Sequence, residues 1–165
     1  MQEAADERAI RHVLTRYARA IDRFDMDLLR TVYHSDAYDD HGGYKGDIEG
    51  FIEYLKEVLP RFQSTQHFLG NIHVELDGDR AHSETYCQAW HRIAGDPETQ
   101  AHDSVAGLRY VDLFERRNGE WRIARRKVVI DWMRDDPVVN GGGGVAQGTQ
   151  YGRRDRGDPV YHFGR

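Results

Sequence analysis

Asp22 stands at the end of a stretch with helical periodicity, and His67 lies in Ser64-Thr65-Gln66-His67-Phe68-Leu69-Gly70-Asn71, which opens the first strand-like run. A carboxylate bonded to one ring nitrogen of an imidazole leaves the other as a general base, and free imidazole titrates at about 6.5, near working pH. Such a pair abstracts a proton without a metal or coenzyme. Both residues also have ordinary uses: Asp22 can cap the turn into Arg23-Phe24-Asp25, and His67 can be a satisfied core histidine. The choice depends on whether the fold brings them together.

Other residue types add to the candidate site. Strand alternation puts Arg126 in an otherwise apolar row with Ala124, Val128, Ile130 and Trp132. A cation there needs a partner, either an acid on a neighbouring strand or the oxyanion or departing group of a substrate, for which Trp132 offers an apolar wall. Tyr17 precedes Asp22 by roughly one and a half helical turns, so its hydroxyl either edges the same cavity or packs in the core. Cys87 alternates with Thr85 and Ala89, small residues that leave room beside a ligand, and no evident base activates it. No His-Glu-x-x-His and no paired cysteines occur, and His73, His82, His91 and His102 lack a helical i, i+4 spacing. Neither a metal nor a cofactor is expected. The glycine run from Gly141 fits G-x-G-x-x-A formally, but no helix pattern follows it to hold a phosphate.

Hydrophobic periodicity shows which elements must position these groups. Residues 6–21 set Ile10, Val13, Leu14, Tyr17, Ala18 and Ile21 on one helix face. Asp25 caps a second predicted helix through Met26, Leu28, Leu29, Val32 and Tyr33, and Asp47 a third carrying Ile48, Phe51, Ile52, Leu55 and Leu59, with Pro60 at its end. Between them, residues 37–44 read as a short strand breaking into a glycine turn. Long strands follow over residues 65–76, 81–93, 104–116 and 120–132. Asp77-Gly78 and Asn118-Gly119 signal hairpins and Gly95-Asp96-Pro97 a wider loop, so consecutive strands are antiparallel. Helices first and a meander afterwards predict an α+β domain, its helices laid on one face of a curved, mainly antiparallel sheet around a pocket. Beyond Trp132 order is expected to decay, because Asn140 is followed by four successive glycines and then mostly polar residues. The expected division is a domain over residues 1–136 and a Gly-rich tail over 137–165. The tail's Val160-Tyr161-His162-Phe163 patch either docks over a pocket mouth, docks on another subunit or stays disordered.

Composition narrows the partners. A chain of 165 residues with 39% hydrophobic content encloses one core and a small pocket. Net charge is −5 with both signs mixed along the chain, and Arg122, Arg125, Arg126 and Lys127 split onto two faces of a strand, which argues against nucleic acid. No apolar run approaches the roughly 20 residues that span a bilayer, so no membrane partner is expected. The single cysteine and an N-terminal stretch without an apolar signal region fit a cytoplasmic protein. Apolar residues on both faces of the long strands, Leu69 against Phe68 and Ile72, predict a homodimer or homotrimer.

Ile21-Asp22-Arg23-Phe24-Asp25, Asp36-Ala37, Tyr44-Lys45-Gly46, Thr65-Gln66-His67-Phe68-Leu69-Gly70-Asn71 and Arg117-Asn118-Gly119-Glu120-Trp121-Arg122-Ile123 occur in the order and spacing of a known group. Over about residues 5 to 135 the chain resembles the SnoaL-like branch of the nuclear transport factor 2-like superfamily, which includes scytalone dehydratase and hexachlorocyclohexane dehydrochlorinase. The resemblance implies a cone-shaped fold and a catalytic pair at Asp22 and His67. It also implies a pocket-facing aromatic at Tyr38 and a substrate-side role for Arg126. The expected activity is a cofactor-independent lyase acting on a small aromatic or cyclic substrate: a dehydratase-type elimination, or release of formaldehyde from a lignin-derived aryl-propanediol. An isomerase or polyketide-type cyclase would use the same base. A non-catalytic binding module, or an accessory subunit similar to the small chain of ring-hydroxylating dioxygenases, would use only the fold.

Overall fold

The apolar stripe of the first helix is buried as its spacing predicts. In a computed structural model, which describes residues 2–138 and 148–162, helix α1 (Gln2–Asp22) packs Ile10, Val13, Leu14, Tyr17, Ala18 and Ile21 against the inner face of a sheet. Its first turns are anchored by Asp6, which accepts Trp121 Nε1 at 2.8 Å and Arg116 Nη1 at 2.9 and 3.0 Å. Its other end closes through backbone alone. The Asp25 amide reaches the Ala20 carbonyl at 2.8 Å, the Phe24 amide reaches that of Ile21 at 3.2 Å, and Phe24 takes a left-handed φ of 53°. A bulky residue is strained there, so tertiary contacts rather than local preference shape this turn. Because backbone groups close it, the Asp22 side chain is not used as a cap.

Asp25 starts α2 (Met26–Val32) by accepting the Leu28 amide at 3.1 Å. The predicted second helix ran through Tyr33, but Tyr33 already belongs to β1 (Tyr33–Asp40), a strand that begins earlier than residues 37–44 suggest. A turn with Gly42 at φ 77° leads to β2 (Lys45–Gly46), and Asp47 caps α3 (Ile48–Val58) through the Gly50 amide at 2.8 Å. Pro60 ends that helix in a single 3₁₀ turn, Leu59–Arg61.

The chain then forms β3 (Phe62–Asp77), β4 (Arg80–Ile93), β5 (His102–Arg117) and β6 (Glu120–Pro137). The six-stranded sheet has the order β2-β1-β6-β5-β4-β3. All neighbours are antiparallel except β1, which runs parallel to β6. Asn118 and Gly119 both have positive φ, 52° and 81°, the geometry their hairpin signal predicts. Order does not decay at Trp132: β6 continues to Pro137, paired with His102, because β5 supplies partners along its whole length.

Bulges decide which side chains face the helices. In β3, Leu69 pairs with Cys87 and Ile72 with Thr85, so the extra residue keeps both Leu69 and Ile72 against the core while Phe68 faces outward. In β6, Leu108 pairs with Ile130 and Gly107 with Trp132, leaving Asp131 as the extra residue. The alternation that carries Arg126, Val128 and Ile130 along one face is broken there, and Trp132 emerges on the other.

Candidate functional site

The last residue of α1 and the third inward position of β3 meet. Asp22 Oδ1 accepts His67 Nδ1 at 2.8 Å and Thr65 Oγ1 at 3.0 Å, while Oδ2 accepts the His67 backbone amide at 2.9 Å. Three donors converge on this carboxylate, so it serves as acceptor throughout. Nδ1 therefore carries the ring proton, and Nε2 keeps the lone pair. The His67 and Asp22 side chains are only 7% and 11% exposed, which removes most competing water from the pair. Nε2 makes no hydrogen bond among the described residues.

One aromatic ring packs directly on the imidazole. The His91 ring meets His67 edge-on at 5.5 Å and packs against Phe62 at 4.7 Å. Burial, reinforced by His67, pushes the His91 imidazole down to about 4, so it is neutral near pH 7. The C-terminal segment closes this end of the molecule. Arg23 Nη1 donates to the Arg153 carbonyl at 2.9 Å and to Asp158 at 3.3 Å, and Asp25 accepts Arg156 at 3.2 Å and the Tyr161 hydroxyl at 3.0 Å. Arg154 reaches inward and donates Nη1 to the carbonyls of Leu59 at 2.8 Å and Phe62 at 2.9 Å, with the Phe24 ring 5.9 Å from its guanidinium carbon. The glycine run and Phe163, parts of the expected tail, lie outside the described residues.

Arg126 does face the helices, and it is completely buried in a double hydrogen bond to Asp112, Nε to Oδ1 at 2.7 Å and Nη2 to Oδ2 at 2.6 Å. The acid on the neighbouring strand thus takes this cation, the first of the two partners foreseen. Tyr17 and Tyr110 lie with ring centres 4.0 and 4.1 Å from its guanidinium carbon. Burial opposes the charge of both groups, but the short parallel bonds are those of a carboxylate with a guanidinium, and the pair is charged. Arg126 Nη1, Ser83 Oγ and Thr85 Oγ1 are buried without a hydrogen-bond partner among the described residues. Cys87 lies on the same inner face, where burial raises its thiol to about 11. It is a thiol at neutral pH. The Tyr17 phenol is likewise driven upward by burial and stays protonated.

Two expected pocket residues are placed elsewhere. Tyr38 is 41% exposed on the outer face of β1 beside Arg125, while its neighbours Ala37 and Asp39 point inward. Asp39 takes the inward position and accepts Tyr33 at 2.7 Å and His41 at 3.0 Å. Trp132, turned by the Asp131 bulge, lies flat on Gly107, where a Cβ would come within 2.1 Å of the indole. It lines an outer cleft of about 440 Å³ with Phe68 and Tyr86. A second cleft, about 340 Å³, lies between the α1–α2 turn and Arg154, Arg156 and Tyr161. Thr65 and His91 join the dyad without having been singled out. Their signal was present, since Thr65 shares the alternation of His67, and His91 that of Cys87 and Ala89. Arg154 had none, because the segment around it has no periodicity. Among the described residues no group of three or more His, Cys, Asp or Glu is arranged to hold a metal ion, and no helix is long and apolar enough to cross a membrane.

A helix-first α+β cone whose leading helix delivers a carboxylate to a strand histidine defines a class of small domains with a carboxylate–imidazole pair at one end of the sheet. The chain belongs to the SnoaL-like domain family, which it matches over residues 2–127. An uncharacterised protein of Mycobacterium tuberculosis is 37% identical over 127 residues, covering 75% of this chain and 84% of its own. Among solved structures, a candidate scytalone dehydratase from Novosphingobium aromaticivorans superimposes with a TM-score of 0.72 at 18% identity, covering 83% of this chain and 91% of that one. A LinA-type3 hexachlorocyclohexane dehydrochlorinase from Novosphingobium barchaimii gives 0.72 at 17% identity, covering 87% and 97%. At such identities these two structures speak for the fold.

Proposed function

We propose that the protein is a lyase that needs no cofactor and eliminates water from a small ring-bearing substrate, with the Asp22–His67 pair as its general base. The observation that carries this reading is the 2.8 Å bond from His67 Nδ1 to a carboxylate already fixed by two further donors. Nε2 takes a proton from the carbon next to the one bearing the hydroxyl. The C–H electrons become the new double bond, and the C–O bond breaks. The imidazolium, stabilised by Asp22, is the nearest proton source, so it returns the proton to the departing oxygen as water and the base is regenerated. Arg126 is committed to Asp112 through two nitrogens, and its remaining Nη1 is the group left to assist an oxygen that reaches that depth. Tyr17 and Cys87 form the wall behind it.

The candidate dehydratase and the dehydrochlorinase among the fold relatives carry the names of eliminations, which agrees with this chemistry. Phe24, Phe62 and His91 beside the dyad favour an aromatic or cyclic substrate. The outer cleft with Phe68, Tyr86 and Trp132 suits a contact between copies of the chain, and we read the assembly as a dimer or trimer of a cytoplasmic protein. The test is turnover on a panel of small hydroxylated aromatic and cyclic compounds, followed as loss of water by mass spectrometry. His67→Ala should lower the rate by about 10² to 10⁴ with the melting temperature kept. A variant that turns over as fast as the wild type would remove His67 from the mechanism.

A further inference from the structure

Among the described residues, arginines that grip a carboxylate with two nitrogens use one particular edge of the guanidinium. Arg126 holds Asp112 through Nε and Nη2, Arg109 holds Asp131 through Nε at 2.9 Å and Nη2 at 2.8 Å, and Arg92 holds Asp103 through the same pair of atoms. Arg154 presents that edge with nothing on it: Nε and Nη2 are buried and have no hydrogen-bond partner among the described residues. Its opposite corner is not free. Nη1 is fixed by the Leu59 and Phe62 carbonyls, so the plane of the guanidinium is set before any ligand arrives.

Arg154 lies close to the dyad. Phe62, whose carbonyl holds Arg154, packs on His91, and His91 packs on His67. Phe24, two residues after Asp22, faces the Arg154 guanidinium, and the charge of Arg154 is felt at both Asp22 and His91. Asp22 is not its missing partner, because neither Nε nor Nη2 is within hydrogen-bond reach of any described residue, Asp22 included. With His91 neutral near pH 7, the Arg154 cation is uncompensated by a bonded acid, and a half-buried cation whose two idle donors are shut off from water calls for an anion of matching shape. Two parallel N–H groups match the two oxygens of a carboxylate.

We propose that the Nε–Nη2 edge of Arg154 binds a carboxylate of the substrate, so that the molecule offered to the dyad is a small ring-bearing carboxylic acid. This rests on the dyad being the reacting centre, but it is tested by binding rather than turnover. Titration calorimetry on the full chain would compare benzoate, its neutral isostere benzamide, and inorganic phosphate, while imidazole ¹⁵N signals of His67 and His91 report where the ligand sits. The wild type should bind benzoate at least about tenfold more tightly than benzamide. The histidine signals should move with benzoate. Arg154→Gln should abolish the preference and Arg154→Lys, which keeps the charge but not the paired donors, should reduce it. His67→Ala should retain the preference while losing turnover, which separates this proposal from the mechanism. Equal binding of benzoate and benzamide by the wild type, an undiminished preference in folded Arg154→Gln or Arg154→Lys, or phosphate binding as tightly as benzoate would each overturn the assignment. Should Arg154→Gln fail to fold, Arg154→Lys carries the comparison.

Discussion

The proton on His67 Nδ1 is placed by three bonds to one carboxylate, and two of those bonds come from His67 itself. The backbone amide and the ring of the same residue clasp both oxygens of Asp22, so ring rotation and tautomer are fixed together. Asp22→Asn keeps the shape but puts a donor where an acceptor is needed. It is expected to lower kcat by about 10² to 10⁴ with an unchanged circular dichroism spectrum. A kcat within a factor of two or so of the wild type would show that the ring does not depend on Asp22 for its orientation. His91 supplies a pH dependence of known sign. Its imidazole falls from the ordinary 6.5 to about 4 because burial, then His67, disfavour the charged ring. Between those values the unfolded chain binds the extra proton, so stability is lost as pH falls through the window, by roughly 3 kcal/mol in all. Urea unfolding from pH 7 to 4 should show this slope in the wild type and a shallower one in His91→Gln, the difference cancelling the carboxylates common to both. Parallel slopes would mean that His91 is not held neutral by the fold.

Elements were legible where periodicity ran uninterrupted and obscure where a strand changed its parity. The helix stripe from Ile10 to Ile21, the caps at Asp25 and Asp47 and the Asn118-Gly119 hairpin all follow from local chemistry, and with them the end of α1 that carries Asp22. Simple alternation placed Trp132 beside Arg126, and the extra residue at Asp131 puts it on the opposite face. Nothing in Ile130-Asp131-Trp132-Met133 announces that bulge. Its cause is tertiary, with Gly107 on the facing strand leaving a flat site for the indole. Tyr38 fails for a related reason, since β1 begins at Tyr33 and its register against β6 shifts before Tyr38. The β5–β6 ladder also holds the Arg126–Asp112 pair, whose energetics belong to the two strands together. Asp112→Ala strands a fully buried guanidinium between Tyr17 and Tyr110, and should cost about 3 to 5 kcal/mol in urea unfolding. Replacing both partners with apolar side chains of similar volume should recover most of that loss. A small effect of Asp112→Ala would mean that water reaches the interior and solvates Arg126.

Across the whole molecule, the core and the site are completed by different parts of the chain. The buried apolar set runs from Ile10 to Ala124 and includes nothing from the C-terminal segment, of which Asp158 alone among the described residues is buried. That segment is held mainly by exposed or half-exposed polar bonds, to Arg23, Asp25 and the Leu59 and Phe62 carbonyls. Pairs of this kind contribute about 0 to 1 kcal/mol each. We read residues 1–136 as the folding unit, since β6 keeps its partner Asp103 for Asp136 when the chain is cut there. Truncation after Asp136 should therefore lower the melting temperature by only a few degrees, at about 2 to 4 °C per kcal/mol for a chain of this size. It should raise KM or lower turnover much more, because Arg154 leaves with the segment and the Phe24–Phe62 side of the dyad opens to water. The benzoate preference should vanish in the truncated chain as in Arg154→Gln, with any residual turnover still abolished by His67→Ala. Unchanged kinetics would make the segment a passive extension. Loss of folding would place the boundary of the unit beyond β6 and make the contacts at Arg23 and Asp25 part of the fold rather than of the site.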